Sequence, residues 1–474
     1  PLQEVYADKA YADAIKKGID VTLPEIFQNK FFRGLVGAQA ATQYAKTVAN
    51  IPTHGKNMMG NIIMLTANGI LPTGTSLKQA VKTTSSQLLN KNNKELAETL
   101  AEYVELGVTN SGIGLGIVRR NLKVASEDSG KYIDDITALR KAKNVGKKAA
   151  DIYQAEDDFF KIIHFENTKN YLRKVYPNMD NNTLKQMAAQ RTRDMMPNYR
   201  LVPKFIKGLG YSPFGDFVSF PAEMVRTTKN LVKYTYDDAK TAAFNSSDSN
   251  FNREALLQAL AGRVVGMGVA GSFGDVAQSM TMSAFGITDE QDKAMTYLNA
   301  PYYMNTNRIY LGPIQKDKKT GHVIAPTLYL GSYDPYSIIK VGAKAIHQGL
   351  LEGEPLSEYE QNKLLFGTLE QTVYPMVQPS MFTQGIIDIV KGKQDFSSPE
   401  MGISEALGKQ LIDLFDPSYL KYMERRKNYY NKGLSDSLYT ISEGDIDVPA
   451  LLGIRRTNQD LSAGISRNIY TPIS

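Results

Sequence analysis

The chain contains no cysteine among its 474 residues, so it has neither a disulfide framework nor a thiolate metal site. That suits a protein made in the cytosol, and equally one that must cross compartments without redox consequences. Tryptophan is absent too, which by itself excludes nothing. Histidine is scarce. His54, His164, His322 and His347 are scattered, and no His-x-x-x-His or His-Glu-x-x-His spacing supports a zinc site, so each reads as an ordinary surface or core histidine.

A strong excess of one charge is also missing. Lys and Arg total 55 against 49 Asp and Glu, a net charge of +6, which describes a mixed, soluble surface with at most a weak, non-specific attraction to nucleic acid or anionic lipid. Long apolar runs are few. Leu256–Phe273 is nearly long enough to span a bilayer, but Gln258 and Arg263 interrupt it, and Asn61–Leu71 is too short. Pro1 to Lys17 is polar and mixed in charge and shows no cleavable signal; a first residue of Pro leads us to expect a processed chain or part of a longer one.

What the sequence does contain is helical periodicity. Asn92 and Glu95 look like a capping pair ahead of Leu96, Leu100, Tyr103 and Val104. The spacing predicts a helix over 151–175, with Ile152, Ala155, Phe159, Ile162 and Ile163 on one stripe and Pro177 as its stop. Another starts at Pro221, with Glu223 in its first turn and Phe220, Met224, Leu231, Val232, Thr235 and Ala242 as its stripe. Asp334-Pro335 and Asp416-Pro417 each announce a helix, the first carrying Gly342 on its apolar side and the second closed by Gly433; Ser357 with Glu360 forms a further capping box. Arg308–Ile314 and Val323–Leu330 alternate as strands around a charged tip at 315–322. The expected class is therefore mainly α, a multi-helix architecture with one small β-hairpin insert.

Four regions are expected: an N-terminal helical region over 1–247, a Gly/Ala-rich helical segment over 248–300, the β-hairpin over 301–333 and a C-terminal helical region over 334–474. The stretch 244–252, which contains Asn245 to Ser249, is the best candidate boundary and 394–402 a weaker one. Within the second region, Gly262 and Gly266 form a small-xxx-small pair that lets helices approach closely. The segment reads as a tightly packed buried helix pair; its sharper reading is a membrane-contacting stretch that includes Gly262, Gly266 and Val269.

No motif carries chemistry. Gly112, Gly114 and Gly116 lack the spacing of a dinucleotide loop, and Gly146-Lys147-Lys148 lacks the upstream glycine and following Ser or Thr of a phosphate loop. Glu156-Asp157-Asp158 and Asp237-Asp238 are neighbours that do not face one another on a helix, and read as solvated faces with one interhelix ion pair. No Gly-x-Ser-x-Gly elbow is present. No catalytic residue, metal or cofactor is expected. The segment after Asp416 interleaves Tyr419, Tyr422, Arg425, Arg426, Lys427, Tyr429, Tyr430 and Lys432, a set that suits a protein interface, a plain surface, or a nucleic-acid backbone with stacked bases.

Several phrases resemble the long internal proteins of short-tailed bacteriophages and the related large polyvalent phage proteins. They are Gln43 to Thr47 followed by Pro52 to Asn61, then Ala155 to Ile162, then Pro197-Asn198-Tyr199 with Pro213 to Arg226, and Leu452 to Arg455. They occur in order and span most of the chain. The resemblance implies a helical core or ejection protein in the virion interior, often stacked on the portal, that passes into the host envelope on infection and helps DNA enter. It implies a homo-oligomeric ring or tube, contacts with other core or portal proteins, non-specific contact with double-stranded phage DNA, and contact with the host membrane. Such proteins often carry an enzyme elsewhere on a longer chain, and the family supplies no catalytic residue to carry over. Three alternatives stand beside it: a non-catalytic accessory region of a larger virion-packaged enzyme such as a phage RNA polymerase, an enzyme of unfamiliar type, which a pocket of converging titratable groups would support, and a portal-associated scaffold that stays in the particle. Helices reform locally and quickly, which suits a chain threaded through a narrow channel.

Overall fold

The computed structural model describes residues 47–48, 50–89, 94–109, 137–203, 219–244, 251–299, 308–316, 321–329, 333–336, 340 and 456–462. Among them the chain forms α1 (Ile51–Ala67), α2 (Gly74–Leu89), α3 (Lys94–Glu105), α4 (Thr137–Val175), α5 (Asn181–Met195), α6 (Ser219–Phe244), α7 (Arg253–Phe285) and α8 (Asp289–Asn299). They are followed by β1 (Arg308–Tyr310), β2 (Gln315–Lys316), β3 (Val323–Tyr329) and β4 (Arg456–Asp460). The class is mainly α with a small β insert, as the periodicity predicts.

Local chemistry sets the helix ends. Thr73 and Ser76 cap α2 reciprocally, each hydroxyl accepting the other's backbone N–H. Asp180 accepts from the Thr183 N–H at the start of α5, and Asn252 from the Ala255 N–H at the start of α7. Gly286 closes α7 in the left-handed conformation. α4 stops at Val175, just before Pro177, but begins at Thr137 rather than near Asp151. Its first turns carry Arg140, Lys141, Lys143, Lys147 and Lys148 between small or single apolar positions, Leu139, Ala142, Val145 and Ala149, a stripe that lies outside the expected 151–175. Gly146-Lys147-Lys148 therefore lies inside a helix.

The main core joins α1 through α7. Ile63, Met64 and Leu65 of α1, Ala80 of α2, Tyr103 of α3, Phe160, Ile162, Ile163, Phe165 and Leu172 of α4, Leu184 and Ala188 of α5, Met224 and Leu231 of α6, and Ala270 of α7 form one buried cluster. α7 joins this core through Ala270, with Met267 packed against it. The Gly-rich segment is one continuous helix of 33 residues rather than a helix pair, because no proline breaks it, and Gly262 and Gly266 are taken up by packing against the end of α1. A Cβ on Gly266 would meet the Thr66 carbonyl oxygen at 1.9 Å. Gly69, with φ +69, lies against the backbone of Gly262 and Arg263. These two close approaches fix α1 and α7 antiparallel and nearly backbone to backbone.

The strands form a four-stranded antiparallel sheet, larger than the expected hairpin. β3 pairs with β1 and then β2 along one edge and with β4 along the other, Ala325 opposite Gln459 and Thr327 opposite Thr457. β4 is far away in sequence and polar, Arg-Thr-Asn-Gln-Asp, so neither pattern nor turn chemistry marks it. Pro326 sits mid-strand. Its carbonyl accepts from the Leu311 N–H where β1 gives way to β2, so its missing N–H faces the interruption of the ladder. The sheet packs on the C-terminal end of α7 and on α8 through Met282, Ile287, Met295, Tyr310 and Ala325.

Candidate functional site

Among the described residues, ionisable side chains gather in three buried or half-buried networks. Asp238 of α6 takes Arg191 of α5 bidentately, at 2.6 and 2.7 Å, and Arg263 of α7 at 2.8 Å. Burial alone would lift the Asp238 carboxyl; the hydrogen bonds and charge of Arg191, with the charge of Arg263, overcome it and hold the group below its ordinary range. The Arg191 guanidinium lies over the rings of Tyr234 and Tyr171, 4.9 and 5.6 Å from their centroids, and donates to the Tyr171 hydroxyl. His164 of α4 is fully buried, with Nδ1 on the Thr192 hydroxyl at 2.9 Å. Burial and the neighbouring Arg263 and Arg191 lower it to about 3, so it is neutral.

A second network joins α1, α4, α6 and the segment after α5. His54 of α1 contacts Glu156 through Nδ1 at 2.8 Å and the Val48 carbonyl through Nε2 at 2.9 Å. The ring of Tyr153 meets His54 edge-on, and Lys161 pairs with Asp157 at 2.6 Å. Glu223 of α6 accepts the Asn198 backbone N–H and holds Arg226, whose guanidinium caps the carbonyls of Arg193, Asp194 and Met196 at the end of α5. A third, smaller cluster lies at the sheet, where Asp292 accepts from Arg308, Tyr310 and Gln278.

Placing carboxylates on solvated faces therefore needs correction. Glu156 and Asp158 on α4 and Asp238 on α6 turn inward. The partners of Glu156 and Asp238 come from other helices, which spacing along one helix does not show, while Asp158 accepts from Gln154 on its own helix. Among the expected site residues, Gly266 is sealed against α1 and Gly262 lies beside Gly69, so both serve the fold's interior, while Val269 is exposed. Tyr419, Tyr422, Arg425, Arg426, Lys427 and Tyr430 lie outside the described residues. Among the described residues no group of three or more acidic or histidine side chains is arranged to hold a metal ion.

α7 carries the most unusual surface. It is long and apolar enough to cross a membrane, yet only 22% of its apolar window is buried, unlike the core helix of a globular protein. Leu257, Val264, Val265, Val269, Phe273, Val276 and Met280 are all exposed. From Ala255 to Gly274 the single charged residue is Arg263, and that side chain points inward to Asp238. The outer face is therefore free of charge over about five turns.

No family model, characterised protein or solved structure matches the chain.

Proposed function

We propose that this chain is a structural component of a bacteriophage virion interior, a self-associating core or ejection protein whose role in genome delivery is mechanical rather than catalytic. The observation that carries the reading is the outer face of α7. An uncharged, apolar helix face running about 30 Å calls for a second surface, either another copy in a ring or tube or a bilayer met during delivery. Three phrases of the phage resemblance also meet in space: His54 bonds Glu156, and Asn198 bonds Glu223, with Tyr199 buried among Tyr153, Asp157 and Glu223. They act together as interior of one body, which suits a shared scaffold better than separate motifs.

The test is to quantify the protein by mass spectrometry in purified particles and in particles emptied of DNA. The ejection reading expects it in the first and its loss from the second. Retention after genome release assigns it instead to a scaffold beside the portal, and absence from both sinks the virion reading.

A further inference from the structure

We propose that His54 and Glu156 form a proton-dependent latch, tying the segment that leads into α1 to the middle of α4, closed while the pair holds one extra proton and open once that proton leaves. The proposal stands on geometry and is independent of the virion reading. The Val48 carbonyl can only accept, so Nε2 must carry hydrogen to bond it at 2.9 Å. Nδ1 faces a Glu156 carboxyl oxygen at 2.8 Å. If that carboxyl is ionised, Nδ1 must carry hydrogen as well and the ring is an imidazolium. If the ring is neutral, the carboxyl must be protonated and donate. Either way the arrangement holds one proton more than a neutral imidazole beside a carboxylate. Without it, a nitrogen lone pair meets an oxygen lone pair at hydrogen-bond distance, and one of the two contacts must open.

The surroundings favour keeping the proton. Burial pulls the imidazole down, but the bonds to Glu156 and Val48 and the Glu156 charge outweigh it and raise His54 above its ordinary value. Burial raises Glu156 in turn, His54 opposes that, and Asp157 adds to it. Around the pair, α4 contributes Tyr153 and Asp157, the latter held by Lys161; on α1, Lys56 is turned to the Tyr333 ring; beyond Tyr153 stand Tyr199 and, on α6, Glu223 with Arg226. A folded value above about 6.5 gives stability that is complete below the unfolded value and fades as pH rises through the folded one. The latch thus closes toward acid and opens toward alkali. It acts on α1, the helix packed directly against both α4 and α7.

The experiment is a titration of the whole chain with 15N-labelled histidine, the His54 ring assigned by its contact with the Tyr153 ring. It is paired with amide hydrogen exchange over α1, corrected for intrinsic exchange. The expected result is hydrogen on both His54 nitrogens near pH 6, a transition above about 6.5, and loss of α1 protection across that transition. In Glu156→Gln the amide donates to Nδ1 of a neutral ring, so the His54 transition falls and α1 protection stops responding to pH. A neutral His54 near pH 6, α1 protection that ignores pH in the unaltered chain, or an unchanged pH response in Glu156→Gln overturns the proposal. If the variant does not fold, the titration of the unaltered chain alone decides.

Discussion

Asp238 on α6 and Arg263 on α7 meet at 2.8 Å with both side chains buried, and the same carboxylate is already gripped by Arg191 on α5. One negative charge therefore holds two guanidinium groups away from water. Replacing it by Asp238→Asn leaves both cations buried and poorly compensated, and should cost about 3–5 kcal/mol in denaturant unfolding. Arg263→Met should cost less, because the bidentate Arg191 pair survives and the methionine fills the space. A loss under about 1 kcal/mol for Asp238→Asn would show that the carboxylate does not join these helices.

The same pairing explains how far the fold could be read from the sequence. The helices α3, α4 and α6, the stop at Pro177 and the strand pair β1–β3 follow from spacing and turn chemistry, which act within a few residues, but Val104, Ile152, Phe220 and Val232, which spacing assigns to the apolar stripes, are exposed. Asp238–Arg263 and His54–Glu156 connect positions 25 and 102 residues apart, and no local rule encodes them. β4 escaped for the same reason: a polar pentapeptide becomes a strand only because β3 offers it an unpaired edge. The outward apolar face of α7 was hidden by Arg263, which looks like an interruption until the structure turns it inward.

Two glycines of α7 should respond oppositely to alanine. At Gly266 a methyl group would overlap the Thr66 carbonyl oxygen, so Gly266→Ala must push α1 and α7 apart, with an expected loss of about 2–4 kcal/mol. At Gly268 nothing lies within 4 Å, and the same change should stabilise the chain by about 0.5–1 kcal/mol through helix propensity. Thermal unfolding of the two variants separates these effects, and equal losses at both sites would contradict the α1–α7 contact described.

His164 should make the protein acid-sensitive. It is held to about 3 when folded, against about 6.5 in an unfolded chain, so the unfolded state binds the proton first. Its contribution is complete above about pH 6.5 and is lost as pH falls from there toward 3, the reverse of the His54 direction. His164→Gln keeps a group able to bond Thr192 but takes no proton. Its denaturation midpoint should fall less between about pH 7 and pH 4 than that of the unaltered chain. Parallel curves would mean that acid acts elsewhere.

The outer face of α7 makes the final prediction. Val265 and Val269 project into solvent, and Val265 is 64% exposed, so charged replacements there touch no internal partner. Val265→Glu with Val269→Lys should leave unfolding stability within about 0.5 kcal/mol for each change. If this face joins copies of the chain, the unaltered protein sediments as an oligomer and the double variant as a monomer. If it meets lipid, the unaltered protein instead floats with zwitterionic vesicles and the variant does not. An unaltered chain that is monomeric and ignores vesicles would remove the physical basis for a mechanical role, because the apolar outer face of α7 would then have nothing to bind.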